Sequence, residues 1–296
     1  MLNLNYVTKK FQDTPVLEHV NLDIPEGSVF GLIGPNGSGK TTLLKVIAGI
    51  IKPDLGSASI DHVNIFDNPE GKRQILLISD DPFYFFQSTL KEMKEFYKLW
   101  YPGLDEAVYQ KYLAIFQLDE KKMIKDFSKG MKRQAFIILA LAIAPKYLLL
   151  DEAFDGLDPV MRLTFKRAIS KMIEEKDMTI IISSHNLREL EDICDTFGIL
   201  EEHTISTHGN IDDAREQIHK LQLAFSETKT LEDFKELDIM SAKIQSRVVT
   251  LVVKGDLEQI EAYVKAMEPL MIEVLPVNLE EVFLYEMERK GYGVHE

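Results

Sequence analysis

The sequence predicts an α/β domain with a mixed sheet at its core, followed by a small α+β domain. Short continuous apolar runs at 29–33, 147–150 and 179–183 are typical of strands covered on both faces. Helical patterns lie between the later runs, and this alternation favours a parallel sheet with crossover helices. The alternation stops after residue 210. We therefore expect one domain over residues 1–210 and a second over 211–296.

Each element is predicted from its local pattern. Residues 3–7 and 16–24 alternate apolar and polar side chains, as half-buried antiparallel strands do, with a turn at 25–27. Residues 83–127 are predicted to be mostly helical, and 159–174 to form a helix. The C-terminal elements are predicted as strands at 221–225, 243–253 and 272–277 and as helices at 230–237, 257–267 and 279–290.

The composition is that of a globular protein with a substantial core. Of the 296 residues, 45% are hydrophobic and 28% are charged. No apolar run reaches the roughly 18 residues of a membrane span, and no export signal is visible at the N-terminus. Cys194 is the only cysteine and follows a helical apolar period, which predicts a buried thiol in a reducing compartment. The net charge of −14 disfavours nucleic acid as a partner.

A glycine-rich segment joins the strand at 29–33 to a helical pattern, and it has the spacing of a phosphate-binding loop. Its residues are Gly34, Pro35, Asn36, Gly37, Ser38, Gly39, Lys40, Thr41 and Thr42. Backbone N–H groups of such a loop converge on a polyphosphate, and the helix N-terminus adds a positive dipole end. Lys40 would neutralise the outer phosphates, and the Thr41 hydroxyl would reach Mg²⁺. The segment predicts a nucleoside triphosphate site.

Two adjacent carboxylates follow the buried run at 147–150. Open α/β sheets bind their ligands at the carboxyl ends of the strands, where Asp151 and Glu152 are expected to lie. Asp151 would hold the Mg²⁺ shell, and Glu152 would polarise the water that attacks the γ-phosphate. Together with the phosphate loop, this pair predicts ATP hydrolysis.

Further segments, in this order along the chain, resemble the ABC-type ATPase family. The segment from Ser128 to Lys132 resembles the family's signature sequence, with Lys129 and Met131 departing from it. Asp158 matches the D-loop aspartate, and His185, after the run at 179–183, matches the switch histidine. The resemblance covers residues 1–210. It implies a P-loop ABC ATPase fold with an antiparallel β subdomain and a helical subdomain at about 83–145.

The resemblance also implies roles for these residues. Phe11 matches the aromatic that stacks on adenine, and Val16 joins it in nucleotide binding. Ser128 and Gly130 would close the nucleotide from the opposite subunit of a dimer, with ATP as the bridge, and Asp158 would link the two sites. His185 would contact the γ-phosphate and orient Glu152.

One position departs from the family in a way that bears on the metal. Where the family usually carries a glutamine, about forty residues after Lys40, this chain has Asp80. An aspartate can still ligate Mg²⁺ through oxygen, so Asp80 joins Thr41 and Asp151 as a predicted metal ligand. Its charge changes how this loop couples to a partner.

The implied function is the ATP-hydrolysing motor of an ABC transporter at the cytoplasmic face of a bacterial membrane. Separate transmembrane subunits would form the pathway, and the motor would be a homodimer or a heterodimer with a related subunit. The segments at 128–134 and 278–284 resemble bacterial exporters of antibiotics, lantibiotics and amphipathic peptides, including bacitracin-type pumps. The alternative is a soluble ABC ATPase of DNA repair or translation. A non-hydrolysing regulatory partner is disfavoured because Glu152 and His185 are both present.

The aromatic residues between Phe83 and Tyr101 allow two interpretations. They could line the groove where a permease docks, or half or more of them could form the core of the helical subdomain, which we favour because aromatic side chains bury well.

Overall fold

The structure is a computed structural model of the chain, and it describes residues 1–191, 193–211, 217–277 and 281. The chain divides into two compact units, Met1–His208 and Gly209–Glu296. The strands are β1 Leu2–Phe11, β2 Thr14–Ile24, β3 Val29–Ile33, β4 Leu55–Ile60, β5 Val63–Asn64, β6 Ile75–Ile78, β7 Tyr147–Asp151, β8 Thr179–Ser184, β9 Thr196–Glu201, β10 Thr204–Asn210, β11 Ile218–Ala224, β12 Asp238–Gln245, β13 Val248–Lys254 and β14 Met271–Leu275. The α-helices are α1 Lys40–Ile47, α2 Pro69–Arg73, α3 Leu90–Trp100, α4 Glu106–Phe116, α5 Lys129–Ile143, α6 Pro159–Lys176, α7 Leu187–Leu190 and α8 Leu257–Lys265.

A six-stranded sheet with the order β10-β9-β3-β8-β7-β6 forms the centre of the first unit. The pairings from β9 across to β6 are parallel, and β3, β7 and β8 are buried along their whole length. The predicted parallel sheet is therefore confirmed. Because parallel strands end at the same edge, the segments after β3, β6, β7 and β8 meet there.

The N-terminal strands form a second sheet, with the order β2-β1-β4-β5. The predicted antiparallel pair is confirmed: Leu2 lies opposite Ile24, and Leu4 lies opposite Leu22. These apolar side chains join one hydrophobic cluster with residues of α1 and of the six-stranded sheet. Cys194 is buried as predicted, and burial raises the pKa of its thiol.

The segment at 83–127 is only partly helical. It contains α3, α4 and a short 3₁₀ helix, Ile124–Asp126. Residues 83–89 are not helical: the chain turns at 86–87, the Ser88 hydroxyl donates to the Phe85 carbonyl, and Thr89 caps the start of α3. The prediction that 83–127 is mostly helical therefore holds for α3, α4 and the 3₁₀ helix and does not hold for residues 83–89.

Of the eight aromatic residues from Phe83 to Tyr101, four are exposed and four are half-buried. Phe83, Phe86 and Trp100 have exposed fractions of 68%, 71% and 57%. None of the eight aromatic residues from Phe83 to Tyr101 is fully buried. The interpretation that half or more of them form the core was therefore wrong. That core is built instead by α4 and α5, with Tyr109 among its buried residues.

An ion pair between α3 and α4 yields a stability prediction. The buried Lys94 ammonium lies 2.7 Å from Glu106 Oε1, and this hydrogen bond is the main cause that lowers the pKa of Glu106 to about 2. We expect Glu106→Gln to lower the free energy of unfolding at pH 7 by about 1 kcal/mol, a value reduced for solvent screening because the carboxylate is 47% exposed.

The pH dependence of that difference has a defined sign. The folded-state pKa lies below the unfolded value, so the stabilisation is complete above about pH 4.5 and is lost as the pH falls towards 2. Urea unfolding at pH 7, 4 and 3 should therefore show a shrinking gap between the wild type and Glu106→Gln. Glu175→Gln, in an exposed pair with Lys171, is the matched control. A gap that does not change with pH would contradict the assignment.

The second unit contains an antiparallel sheet with the order β12-β13-β11-β14. The connection from β11 to β12 contains a 3₁₀ turn, Leu231–Phe234, where a longer helix was predicted. The single strand predicted over 243–253 was also wrong, because Ser246 adopts a φ of +58° and turns the chain between β12 and β13. With α8 before β14, the order matches a ferredoxin-like βαββαβ arrangement. Of the helix predicted at 279–290, all but Glu281 lies outside the described residues.

Within the part of the chain that the structure describes, none of the helices combines the length and the apolar character needed to cross a bilayer.

Candidate nucleotide site

The segments that follow β3, β6 and β7 surround one cavity of about 280 Å³. Its lining contains most of the predicted phosphate loop together with the predicted acidic residues. The lining residues are Val16, Asn36, Gly37, Gly39, Lys40, Thr41, Thr42, Asp80, Asp151 and Glu152. Three segments that are far apart in the sequence thus meet at the carboxyl edge of the sheet.

The glycine-rich loop has a shape that only glycine permits at key positions. Gly39 adopts a φ of +106°, and a Cβ there would lie 2.7 Å from the Val16 carbonyl oxygen. Helix α1 begins at the next residue, so its free N–H groups point into the loop. The Ser38 hydroxyl is buried and has no hydrogen-bond partner among the described residues. A polyphosphate would satisfy these donors.

The Lys40 side chain is hydrogen-bonded to the backbone of its own loop. Its Nζ donates to the carbonyl oxygens of Gly34 and Pro35 at 2.8 and 3.1 Å. The same ammonium lies 3.4 Å from Glu152 Oε1, and the side chain is only 6% exposed. This buried ammonium is the cation that the loop offers to the phosphates of a ligand, and Glu152 is its carboxylate neighbour.

Asp151 lies at the end of β7 and accepts two hydroxyl hydrogen bonds. Thr41 Oγ1 donates to Oδ2 at 2.7 Å, and Ser183 Oγ donates to Oδ1 at 2.6 Å. The side chain is 2% exposed. Within the described ranges, no three His, Cys, Asp or Glu residues are grouped so that they could hold a metal ion by themselves. These oxygen donors suit Mg²⁺, which usually takes one or two carboxylates and completes its shell with water and substrate phosphates.

The backbone conformation of Glu152 sets the direction of its side chain. The residue adopts a φ of +49°, a conformation that costs free energy for a residue with a side chain, and its N–H donates to Ser183 Oγ at 3.1 Å. Its carboxylate lies between two groups: Oε1 is 3.4 Å from Lys40 Nζ, and Oε2 is 2.9 Å from His185 Nδ1.

Asp80 lies at the rim of the cavity and contacts α5. Its Oδ1 accepts a hydrogen bond from Arg133 Nη2 at 2.7 Å and lies 3.1 Å from Lys129 Nζ. Sequence reasoning missed Arg133. The signal that was available is a single arginine two residues before the long apolar run 135–144 of a buried helix.

Eight predicted residues lie outside the cavity lining in the single chain: Phe11, Gly34, Pro35, Ser38, Ser128, Gly130, Asp158 and His185. Ser128 caps α5 by accepting from the Met131 N–H at 3.2 Å, and Asp158 caps α6 by accepting from the Met161 N–H at 2.9 Å. Gly130 packs so closely that a Cβ there would lie 2.5 Å from the Gly156 carbonyl oxygen. Phe11 is 48% exposed.

A second network, also missed, connects the segments around two predicted residues. Arg162 donates to Glu189 at 2.7 Å and to the carbonyl oxygen of Leu157, next to Asp158, at 3.0 Å. Glu189 also accepts from Ser184, next to His185, at 3.0 Å. The buried Glu189 carboxylate thus ties the turn before α6 to the end of β8.

Comparison with known proteins decides the family. Residues 17–155 match the family model described as ABC transporter. The ABC transporter ATP-binding protein YtrB of Bacillus subtilis (strain 168) is 32% identical over 285 residues, covering 96% of this chain and 97% of that protein. The chain belongs to the ABC transporter ATP-binding proteins. It is an ATPase of an ABC transporter, and subunits of this family dimerise and work with transmembrane subunits.

Other relatives agree with this assignment. The lantibiotic transport ATP-binding protein SrtF of Streptococcus pyogenes is 32% identical over 238 residues, covering 77% of this chain and all of that protein. The bacitracin transport ATP-binding protein BcrA of Enterococcus faecalis is 29% identical over 246 residues, covering 82% and 76%. These names support transport over DNA repair or translation.

A solved structure of an ATP-binding subunit of an ABC transporter has 32% identity and a TM-score of 0.67 over 73% of this chain and 92% of the other. The predicted P-loop ABC ATPase fold is confirmed.

Proposed function

We propose that this ABC ATPase drives export of an amphiphilic peptide or drug from a bacterial cell, acting from the cytoplasmic face of the membrane. The names of SrtF and BcrA, which are lantibiotic and bacitracin transport proteins, support this class of cargo. The pathway would be formed by separate transmembrane subunits. Residues 211–296 would form an accessory domain beside the ATPase domain of residues 1–210.

The observation that carries the catalytic proposal is the position of the Glu152 carboxylate between Lys40 and His185. Glu152 polarises a water molecule, whose oxygen bonds to the γ-phosphorus of ATP while the bond from that phosphorus to the ADP oxygen breaks. Glu152 takes the proton of the water. Lys40 neutralises the outer phosphates, and His185 orients Glu152 and contacts the γ-phosphate.

Thr41 and Asp151 would hold Mg²⁺, because their oxygens already lie together at the end of β7. Asp80, which the sequence predicts as a third ligand, has its Oδ1 paired with Arg133 at 2.7 Å. When bound, the ion neutralises charge on the phosphate oxygens. Phe11 and Val16 would contact the adenine end of the nucleotide, and residues 34–42 would bind its phosphates.

Ser128, Gly130 and Asp158 would act across the interface of a homodimer or heterodimer. Ser128 and Gly130 lie at the N-terminus of α5, where free N–H groups can bind phosphate oxygens. ATP would hold two subunits together, and hydrolysis would release them.

A groove of about 580 Å³ fits the membrane partner. Tyr97, Trp100 and Tyr101 line it from α3, and Lys72 and Arg73 line it from α2. Trp100 is 57% exposed in this groove, and aromatic residues and arginine are enriched at protein interfaces. Because family members work with transmembrane subunits, we assign this groove to a cytoplasmic segment of such a subunit.

One experiment tests the partner and the cargo together. Cells carrying wild type, Trp100→Glu or Leu99→Glu are fractionated and are tested for tolerance to bacitracin and to a lantibiotic. Leu99 is the matched control because it precedes Trp100 on α3, is 76% exposed and does not line the groove. We expect Trp100→Glu to reduce membrane association about tenfold or more and to lower tolerance, because a central aromatic contact is lost and a charge is buried.

Two outcomes would contradict the proposal. Equal membrane association of Trp100→Glu and wild type would exclude the groove. Copurification of the wild type with DNA or ribosomes, and with no integral membrane protein, would overturn the transport role.

A further inference from the structure

The first two turns of α5 carry charges that a helix start disfavours. Lys129, Lys132 and Arg133 lie there, and the first turn contains no acidic residue. The N-terminus of a helix is the positive end of its dipole, so cations there cost free energy. Lys129 and Arg133 are also four residues apart, where like charges repel. A partner outside the helix must offset this cost.

Asp80 is that partner. Its Oδ1 lies 2.7 Å from Arg133 Nη2 and 3.1 Å from Lys129 Nζ. Arg133 is 1% exposed, so its desolvated guanidinium requires an anion. Lys129 is 61% exposed, and a pair so open to solvent contributes little. Asp80 and Arg133 are therefore the energetically important pair.

Arg133 also contacts the ends of two strands. Its Nη1 donates to the carbonyl oxygens of Ser79 and Asp151 at 3.0 and 3.2 Å. Ser79 and Asp151 each come directly after a residue of the pair Ile78–Leu150, which joins the parallel strands β6 and β7. One guanidinium thus connects α5 to the loop of Asp80 and to the residue that binds Thr41.

We infer that Arg133 is a positioning residue and that Asp80 is its anionic anchor instead of a ligand of the metal. The inference rests on the proposed function for the roles of Asp151 and Ser128. Ser128 lies five residues before Arg133, about 7.5 Å along the helix axis at 1.5 Å per residue. If the strand ends move when nucleotide binds, Arg133 transmits this movement through α5 to Ser128, which closes the nucleotide site of the partner subunit.

The test compares Asp80→Asn, Arg133→Gln and the double variant in the full chain, with Lys171→Gln, an exposed lysine on α6, as the control. Four quantities are measured: the Mg²⁺ concentration for half-maximal ATPase activity, the ATP affinity, the thermal midpoint and the ATP-dependent dimerisation in a Glu152→Gln background. Light scattering reports dimerisation, which does not depend on turnover.

We expect each single variant to lower turnover and dimer affinity about tenfold, with the double variant no worse than either, because the two side chains act as a unit. The half-activating Mg²⁺ concentration and the ATP affinity should stay within about twofold of wild type, since neither residue touches metal or nucleotide in this scheme. Lys171→Gln should change each quantity by less than about twofold.

Three results would overturn the inference. A rise of about tenfold in the half-activating Mg²⁺ concentration for Asp80→Asn alone would make Asp80 a metal ligand. Additive losses of turnover and dimer affinity in the double variant would show that Asp80 and Arg133 act independently. A lower thermal midpoint with unchanged turnover and dimerisation per folded molecule would leave Arg133 a purely structural role.

If Arg133→Gln does not fold, the variant Asp80→Glu tests the inference instead. The glutamate retains the anion, so dimerisation should survive in Asp80→Glu and weaken in Asp80→Asn; equal loss in both would contradict the anchor. A wild-type chain that neither hydrolyses ATP nor dimerises would instead overturn the proposed function.

Discussion

Glu152→Gln is expected to bind ATP but to hydrolyse it at least roughly 10²-fold more slowly. The amide has nearly the shape of the carboxylate, so the fold and the contact with His185 can persist. It cannot take a proton from water, and it no longer presents a negative charge 3.4 Å from the Lys40 ammonium. Binding should be retained because Lys40 and the loop N–H groups are unchanged.

Phosphate release measures the turnover of Glu152→Gln, and calorimetry with Mg-ATP measures its affinity. Glu175→Gln, an exposed glutamate on α6, is the control and should behave as wild type. Turnover equal to that of the wild type would refute the role of Glu152. Slow turnover accompanied by lost ATP binding would point to damage of the loop instead.

Lys40→Ala should weaken ATP binding by roughly 10- to 100-fold, the size expected for a charge-assisted hydrogen bond to phosphate. The loss has a second cause in this structure. Lys40 Nζ also donates to the carbonyl oxygens of Gly34 and Pro35, so the loop loses an internal support. The truncation also leaves Glu152 without its cationic neighbour.

Calorimetry on Lys40→Ala and on Lys45→Ala separates these effects from a general change in charge. Lys45 lies in the last turn of the same helix and does not line the cavity, so its removal should leave the ATP affinity within about twofold of wild type. Equal affinities of Lys40→Ala and wild type would remove the phosphate-loop assignment.

The two variants should differ in assembly. Glu152→Gln should accumulate as an ATP-bridged dimer, because the bridge forms and is not cleaved, whereas Lys40→Ala should stay monomeric at the same ATP concentration. This contrast separates loss of chemistry from loss of binding.

Several features were predictable because their causes are local. The strand β3, the glycine-rich turn and helix α1 follow one another within about twenty residues, and glycine is required at Gly39 by a positive φ and a close approach to Val16. The buried strands β7 and β8 are evident from continuous apolar runs. The carboxyl-edge rule then predicts that Asp151 lies near the loop.

Other features depend on segments that meet only in the folded chain. That none of the aromatic side chains from Phe83 to Tyr101 is fully buried depends on a local turn and on which helices fill the core. The periodicity of apolar residues along the sequence does not indicate either. The anion that faces Arg133 is 53 residues away in sequence. The turn at Ser246 divides an apolar segment that, by pattern alone, is one strand.

Residue identity and short-range spacing alone determined the phosphate loop, the acidic pair and the parallel sheet of this protein, because those patterns report backbone geometry and burial within one or two elements. The tertiary structure decided that Asp80 faces Arg133 and that Glu152 lies between Lys40 and His185. Such contacts form when strand ends that are distant in sequence converge. The free energy that favours them depends on burial and on the distance between the partners, and neither quantity can be predicted from one sequence segment.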